Sequence, residues 1–197
     1  MKKILYILLA LVLVFSVVGC ASTEKSEAVE ETKAPVVLGK DGIPRPDWVV
    51  KDVSTQDVHF ASGYYKAATY ANAQKAAIAE ARNALAEWVK TSVDEIITSY
   101  RNDAGSGENL QAVQAFETIS KQNATAMLSG SIKEDEWVDL DGGVYVLVSI
   151  PVENVKDQMV GLSDGIAQQF EKNEAAVEAN NMMNDAIAKY FGTNATK

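Results

Sequence analysis

The spacing of apolar and polar positions divides the chain into a leader, a polar segment and a folded domain. Residues 4–18 are apolar with one exception and follow Lys2 and Lys3. Residues 21–46 show no apolar period, and their glycines and prolines favour irregular backbone. Beyond that segment, apolar residues recur at strand or helix spacing, which predicts a single domain over residues 47–197.

Within the domain, the spacing predicts the element order βααββα. Residues 57–65 alternate and predict a strand, whereas residues 69–101 and 110–127 have helical spacing. Two more strands and a C-terminal helix, interrupted near two glycines, follow at residues 129–140, 144–150 and 152–191, with Gly161 and Gly165 at the interruption. The fold class is therefore α+β, with an antiparallel sheet of about three strands packed by long helices.

The turn between the second and third strands decides which side chains share a sheet face. A three-residue turn at residues 141–143, with a glycine at positive φ, pairs Val138 with Val146. Glu134 and Glu136 then fall on the apolar side, so a bulge or an early exit of the strand from the sheet is expected.

The sheet face opposite the valines carries a possible interaction surface formed by Trp137, Tyr145 and Leu147. If the helices cover only the valine face, these side chains form an exposed apolar cluster, which is typical of a partner interface. If the first long helix or the C-terminal helix reaches round the sheet, they are buried. The sequence leaves both alternatives open.

The leader ends in the residues of a lipidation signal. Its basic start and short apolar run are typical of a secretory signal peptide, since a spanning helix needs ~20 apolar residues. The segment VVGC at residues 17–20 resembles the lipobox of bacterial lipoproteins, in which the cysteine thiol is acylated and the chain is cut before it. Cys20 is the only cysteine, so no intramolecular disulfide can form. We expect a signal peptide over residues 1–19 and a flexible acidic linker over residues 20–46.

Charge narrows the range of partners. Cleavage between Gly19 and Cys20 removes Lys2 and Lys3 and no acid, so the net charge changes from −9 to −11. Such a chain lacks the positive charge that neutralises phosphates, which argues against nucleic acid and against a basic patch on anionic lipid. The expected membrane anchor is therefore the lipid on Cys20 itself. An ordinary signal peptide with an incidental cysteine is the alternative.

Candidate catalytic and metal-ligating residues are sparse. His59 is the only histidine and no nucleophile-elbow motif accompanies it, so we interpret it as a strand residue on the second sheet face. One histidine and one acylated cysteine supply no zinc ligand set. The acidic residues around the hairpin lack EF-hand spacing and are typical of a strand edge that resists pairing; they are Glu134, Asp135, Glu136, Asp139 and Asp141. No catalytic residue, metal or cofactor is predicted.

The domain also resembles a known family. The Pro46-x-Trp48-Val49 segment, a strand ending in Ala61-Ser62-Gly63 and an Ala-rich helix containing Asn72, Ala73 and Arg82 are similar to the Lpp-twenty family of small bacterial envelope lipoproteins. The resemblance implies a compact fold like that of the dodecin type and no established enzymatic activity. It also implies an envelope location, where some relatives belong to flagellar outer-membrane rings or are surface antigens.

The resulting hypothesis is a non-enzymatic envelope lipoprotein whose domain binds proteins or self-associates. Ala21 follows the cysteine where Asp would signal inner-membrane retention, which favours the outer membrane under the rule known from other lipoproteins. The periplasmic and exterior sides both remain open. The alternative function is a carrier of a small apolar ligand held between helices and sheet.

Overall fold

A three-stranded antiparallel sheet and four helices form the part of the chain that the structure describes, which confirms the α+β class. The structure is a computed structural model and describes residues 36–104, 110–169 and 174–193. Its elements are β1 (Val58–Tyr65), α1 (Tyr70–Ala104), α2 (Leu110–Asn123), β2 (Ile132–Val138), β3 (Val144–Pro151), α3 (Val152–Gln169) and α4 (Glu174–Thr193). Short 3₁₀ turns occupy Lys40–Gly42, Asp47–Val49 and Ala126–Leu128.

The central strand of the sheet is β3, which pairs with β1 on one side and β2 on the other. Its alternate residues Val144, Val146, Val148 and Ile150 are fully buried and face the helices. This alternation is the period of a strand with one apolar face, and here it sets the core of the domain.

Helix α1 packs on the sheet, and its backbone contacts β1 at Gly63. A Cβ atom built on Gly63 would lie 2.1 Å from the Ala77 carbonyl oxygen and 2.4 Å from the Ala81 nitrogen. Ala77 and Ala81 are themselves fully buried. The Ala-rich half of α1 therefore serves a close backbone contact between helix and strand, for which larger side chains leave no room.

The C-terminal region forms two helices, and the predicted interruption at Gly161 and Gly165 is wrong. Helix α3 continues through both glycines to Gln169. Its inner face, which includes Val155 and Met159, is buried along the whole length. Burial of this face outweighs the helix propensity lost at a glycine, about 1 kcal/mol each.

The β2–β3 hairpin has a longer loop than predicted. Val138 pairs with Val144, so residues 139–143 form the loop, and Gly142 has the expected positive φ of 81°. Asp139 closes the loop by accepting a 2.7 Å hydrogen bond from the Gly143 amide on Oδ1. The predicted register is off by two residues, which leaves the side chains of residues 135–138 on their predicted faces. Glu134, predicted on the apolar side, instead accepts a hydrogen bond from Ser149, which alternates with the buried valines of β3. A register shift between Lys133 and Asp135 confirms the expected bulge.

Candidate functional site

The sheet face opposite α1 is covered by the segment that precedes β1, residues 36–53, which we call the N-terminal strap. Trp137 and Leu147 are only 4% and 7% exposed, and they pack with Trp48 of the strap. Tyr145 is half-buried beside them, with its ring 5.4 Å from that of Trp137. The predicted residues thus lie together but do not form an exposed surface. Neither of the helices considered from the sequence covers them.

Two indole N–H groups fasten the strap to β2. Trp48 Nε1 donates a 2.7 Å hydrogen bond to Asp135 Oδ2, and Trp137 Nε1 donates a 3.1 Å bond to the Ile43 carbonyl. Gly39 is buried against β2, where a Cβ would lie 2.3 Å from the Val138 carbonyl oxygen. Residues 36–46, which the sequence predicts as linker, therefore contact the sheet. The sequence signal for this contact is the apolar pair Trp48 and Val49, which directly follows the polar segment.

Exposed apolar side chains lie where the hairpin turns, at a surface that we call the hairpin end: residues 36–45 of the strap, Tyr64, Tyr65 and loop 139–143. Leu140 is 77% exposed. The Tyr64 ring lies 4.5 Å from that of Tyr145, and a Cβ on Gly143 would meet its hydroxyl at 2.5 Å. Tyr64 and Tyr65 are each more than 40% exposed.

His59 lies on the helix side of the sheet and not on the predicted second face. Its ring stacks on Trp88 of α1 with centroids 4.0 Å apart and planes 11° from parallel. Burial lowers the pKa of His59, and the negative charge of Asp52 offsets part of that effect. The geometry makes this histidine a packing residue whose ring resists protonation.

The acidic residues of β2 have separate hydrogen-bond donors. Glu134 Oε1 accepts a 2.5 Å bond from the Ser149 hydroxyl. Glu136 accepts hydrogen bonds from Tyr70, Gln74 and Lys133. Burial raises the pKa of its carboxyl, but these bonds together lower it by more, so the net pKa is lowered. Within the described ranges, no group of three or more His, Cys, Asp or Glu side chains is placed to hold a metal ion.

A groove of about 480 Å³ lies between α2 and α3. Ile119, Met127, Leu162 and Ile166 supply its apolar walls. Gly161 and Gly165 also line it, and no atom would lie within 4 Å of a Cβ on either, so they leave the groove open. The arrangement can accept an apolar group between the two helices, whereas the sequence hypothesis placed a ligand between helices and sheet.

The C-terminal helix α4 turns its apolar side inward. Met183, Ile187 and Phe191 of α4 are buried against the rest of the core. Between α3 and α4, Asn180 Nδ2 donates a 2.9 Å hydrogen bond to Asp164 and its Oδ1 accepts a 2.7 Å bond from Ser163. Among residues 177–192 of α4, Val177 is the large apolar side chain that is exposed.

The predicted lipidation site Cys20 and the predicted cleavage position after Gly19 lie outside the described residues. None of the helices in the described ranges is both long enough and apolar enough to span a membrane. Comparison of the chain with protein-family models, curated proteins and solved structures gives no match. The resemblance to the Lpp-twenty family therefore stays a prediction from the residues.

Proposed function

We propose that this protein is a bacterial lipoprotein held at the outer membrane by lipid on Cys20, with a folded domain that acts as a non-enzymatic structural or protein-interaction module. The observation that carries the proposal is the sequence VVGC at residues 17–20, at the end of a basic and then apolar leader. Because Cys20 is the only cysteine of the chain, acylation accounts for both its position and its solitude.

The chemistry-bearing residues of the domain support a non-enzymatic role. His59 is stacked on Trp88, and Glu136 accepts hydrogen bonds from three side chains. Asp135 holds the strap through Trp48. Each of these groups is thus engaged in maintaining the fold, an arrangement that suits a binding or scaffolding domain.

Acylation is tested by growing the producing bacterium with labelled palmitate and measuring the intact mass of the purified protein. We expect label and an acyl mass increment in the parent, with the chain starting at Cys20. A Cys20→Ser variant should lose both, whereas the matched control Ser22→Ala should keep both. Label that persists in Cys20→Ser, or is missing from the parent, would overturn the proposal.

The second candidate function is transport or storage of a small apolar ligand, favoured by the α2–α3 groove. Native mass spectrometry of protein extracted from its own membrane should then show a bound mass. A Leu162→Trp variant, which fills the groove, should lose that mass. A Val177→Trp variant places the same ring at an exposed position outside the groove and should retain it.

A further inference from the structure

The hairpin end carries most of the exposed large apolar side chains of the described residues. Seven of the eleven lie there, and this imbalance singles out one end of the sheet; they are Val36, Val37, Leu38, Ile43, Tyr64, Tyr65 and Leu140. Tyr64 pairs with Tyr145 and Tyr65 with Val144, so both lie beside the hairpin loop. The strap reaches the same place because the Trp137 indole binds the Ile43 carbonyl.

The same end of the domain is also where the described chain begins. Val36 leads into the hairpin end, and Cys20 precedes it by sixteen positions. Sixteen residues span at most about 58 Å even when fully extended. A lipid on Cys20 would therefore restrain the domain through this end and keep its surface at high local concentration near the bilayer.

The charge of the hairpin end differs from that of the chain. The hairpin end contains two basic residues (Lys40 and Arg45) and three acidic ones (Asp41, Asp139 and Asp141), and Lys66 directly follows Tyr65, whereas the whole chain has a net charge of −9. This end would therefore meet an anionic lipid surface with less repulsion than the rest of the molecule would experience. Tyrosine combines an apolar ring with a polar tip, which suits the region of lipid headgroups.

We propose that the hairpin end docks on the lipid bilayer that anchors the chain, with Leu140, Tyr65 and the exposed part of the strap in the headgroup region. The proposal rests on the proposed lipidation of Cys20, which supplies the main anchor. The apolar contacts add a second, weaker attachment that fixes the orientation of the domain. The opposite end of the sheet, near Gln56, then points away from the membrane.

Fluorescence quenching in proteoliposomes tests this orientation. The lipidated full chain with Leu140→Cys, labelled with an environment-sensitive fluorophore, is reconstituted in phosphatidylethanolamine–phosphatidylglycerol vesicles containing a headgroup-linked quencher. Gln56→Cys, at an exposed position of the opposite end, is the matched control. Acylated Cys20 does not react with the label, so each variant has one labelled position. Tyr65→Cys provides a second position at the hairpin end.

We expect quenching at positions 140 and 65 to be several times that at position 56. Equal quenching at the two ends, or none at either, in acylated and vesicle-bound protein would overturn this proposal and leave the lipid anchor standing. An emission shift at position 140 that occurs without quenching, and that decreases as the protein is diluted in the membrane, would indicate a second copy of the chain at this surface. That result would also overturn the proposed docking on lipid. Protein that carries no acyl mass and does not enter the vesicles would instead contradict the proposed function.

Discussion

The indole Nε1 of Trp48 donates a 2.7 Å hydrogen bond to Oδ2 of Asp135, although the two residues are 87 positions apart in the chain. The bond joins the strap to β2, an edge strand of the sheet. With Trp137 and Leu147 beneath the Trp48 ring, it converts a sheet face that would be open into a second small core.

Removing Trp48 should therefore uncover the sheet face and destabilise the domain. We expect Trp48→Ala to lower the free energy of unfolding by about 3–5 kcal/mol, because a large buried aromatic side chain is lost. Trp48→Phe, which keeps a ring and removes the N–H donor, should cost about 1 kcal/mol. Urea denaturation followed by Trp fluorescence and circular dichroism measures both.

Val50→Ala, at an exposed strap position, is the control and should stay within about 0.5 kcal/mol of the parent. A Trp48→Ala midpoint equal to the parent's would show that the Trp48 side chain contributes nothing to stability.

The contact of Gly63 with α1 predicts a large effect from one added methyl group. A Cβ at residue 63 would meet the backbone of Ala77 and Ala81, which cannot move aside as a flexible side chain can. We expect Gly63→Ala to cost about 3 kcal/mol, at the upper end of overpacking effects. The measurement is the shift of the urea midpoint.

Gly161→Ala is the matched control for that substitution. No atom lies within 4 Å of the added Cβ, and the residue is inside α3. The same chemical change should therefore stabilise the protein by about 1 kcal/mol through helix propensity. A Gly63→Ala midpoint at or above that of the parent would contradict the close contact between Gly63 and α1.

His59 should make stability depend on pH near neutrality. Burial lowers the pKa of this imidazole in the folded state, so the unfolded chain takes up the proton at a higher pH. The free energy of unfolding should thus fall as pH drops below the unfolded pKa of about 6.5, until the lower folded pKa is reached.

His59→Phe keeps a ring against Trp88 and removes the titration. Urea midpoints between pH ~7.5 and ~5.5 should fall for the parent and change less for the variant. Equal slopes would refute the assignment, and because the chain has one histidine its NMR titration reports the folded pKa directly.

Glu136 should make stability depend on pH in the same direction as His59, but at more acidic pH. Burial raises the pKa of its carboxyl, but the hydrogen bonds from Tyr70, Gln74 and Lys133 outweigh burial and the net pKa is lowered. The stabilisation is present above the unfolded pKa of about 4.3 and is lost as pH falls through the folded value. Glu136→Gln should therefore be less stable than the parent at neutral pH, with a deficit that narrows as the solution is acidified.

Urea midpoints at neutral and acidic pH provide that measurement. Glu80→Gln makes the same chemical change at an exposed position of α1 and should match the parent within about 0.5 kcal/mol. A constant deficit of Glu136→Gln at every pH would mean that its carboxylate is not stabilised in the folded state.

Much of the fold follows from local pattern alone. The alternation of Val144, Val146 and Val148 predicts the central strand and its inward face, since side chains alternate in every strand. The helical spacing of Ala77, Ala81 and Leu85 predicts the inner side of α1. A register error of two residues left the face of Trp137 unchanged, because side chains alternate with a period of two and an even shift keeps each on the same face.

Several features could not be predicted because they depend on partners far along the chain. The cover over Trp137 comes from Trp48, and the side of the sheet on which His59 lies is fixed by Trp88. The hairpin length depends on the hydrogen bond between the Asp139 side chain and the Gly143 amide, which the alternation of apolar residues does not encode.

The amino-acid sequence by itself determined the α+β class, the inward faces of β3 and α1, and the lipobox-like segment that ends at Cys20, since each is a property of neighbouring residues. Tertiary structure alone decided that Trp137 and Leu147 are buried and that exposed apolar residues collect at the hairpin end. The physical reason is that burial of a surface depends on which distant segment covers it. Here the N-terminal strap, fastened by the hydrogen bond between Trp48 and Asp135, covers the sheet face.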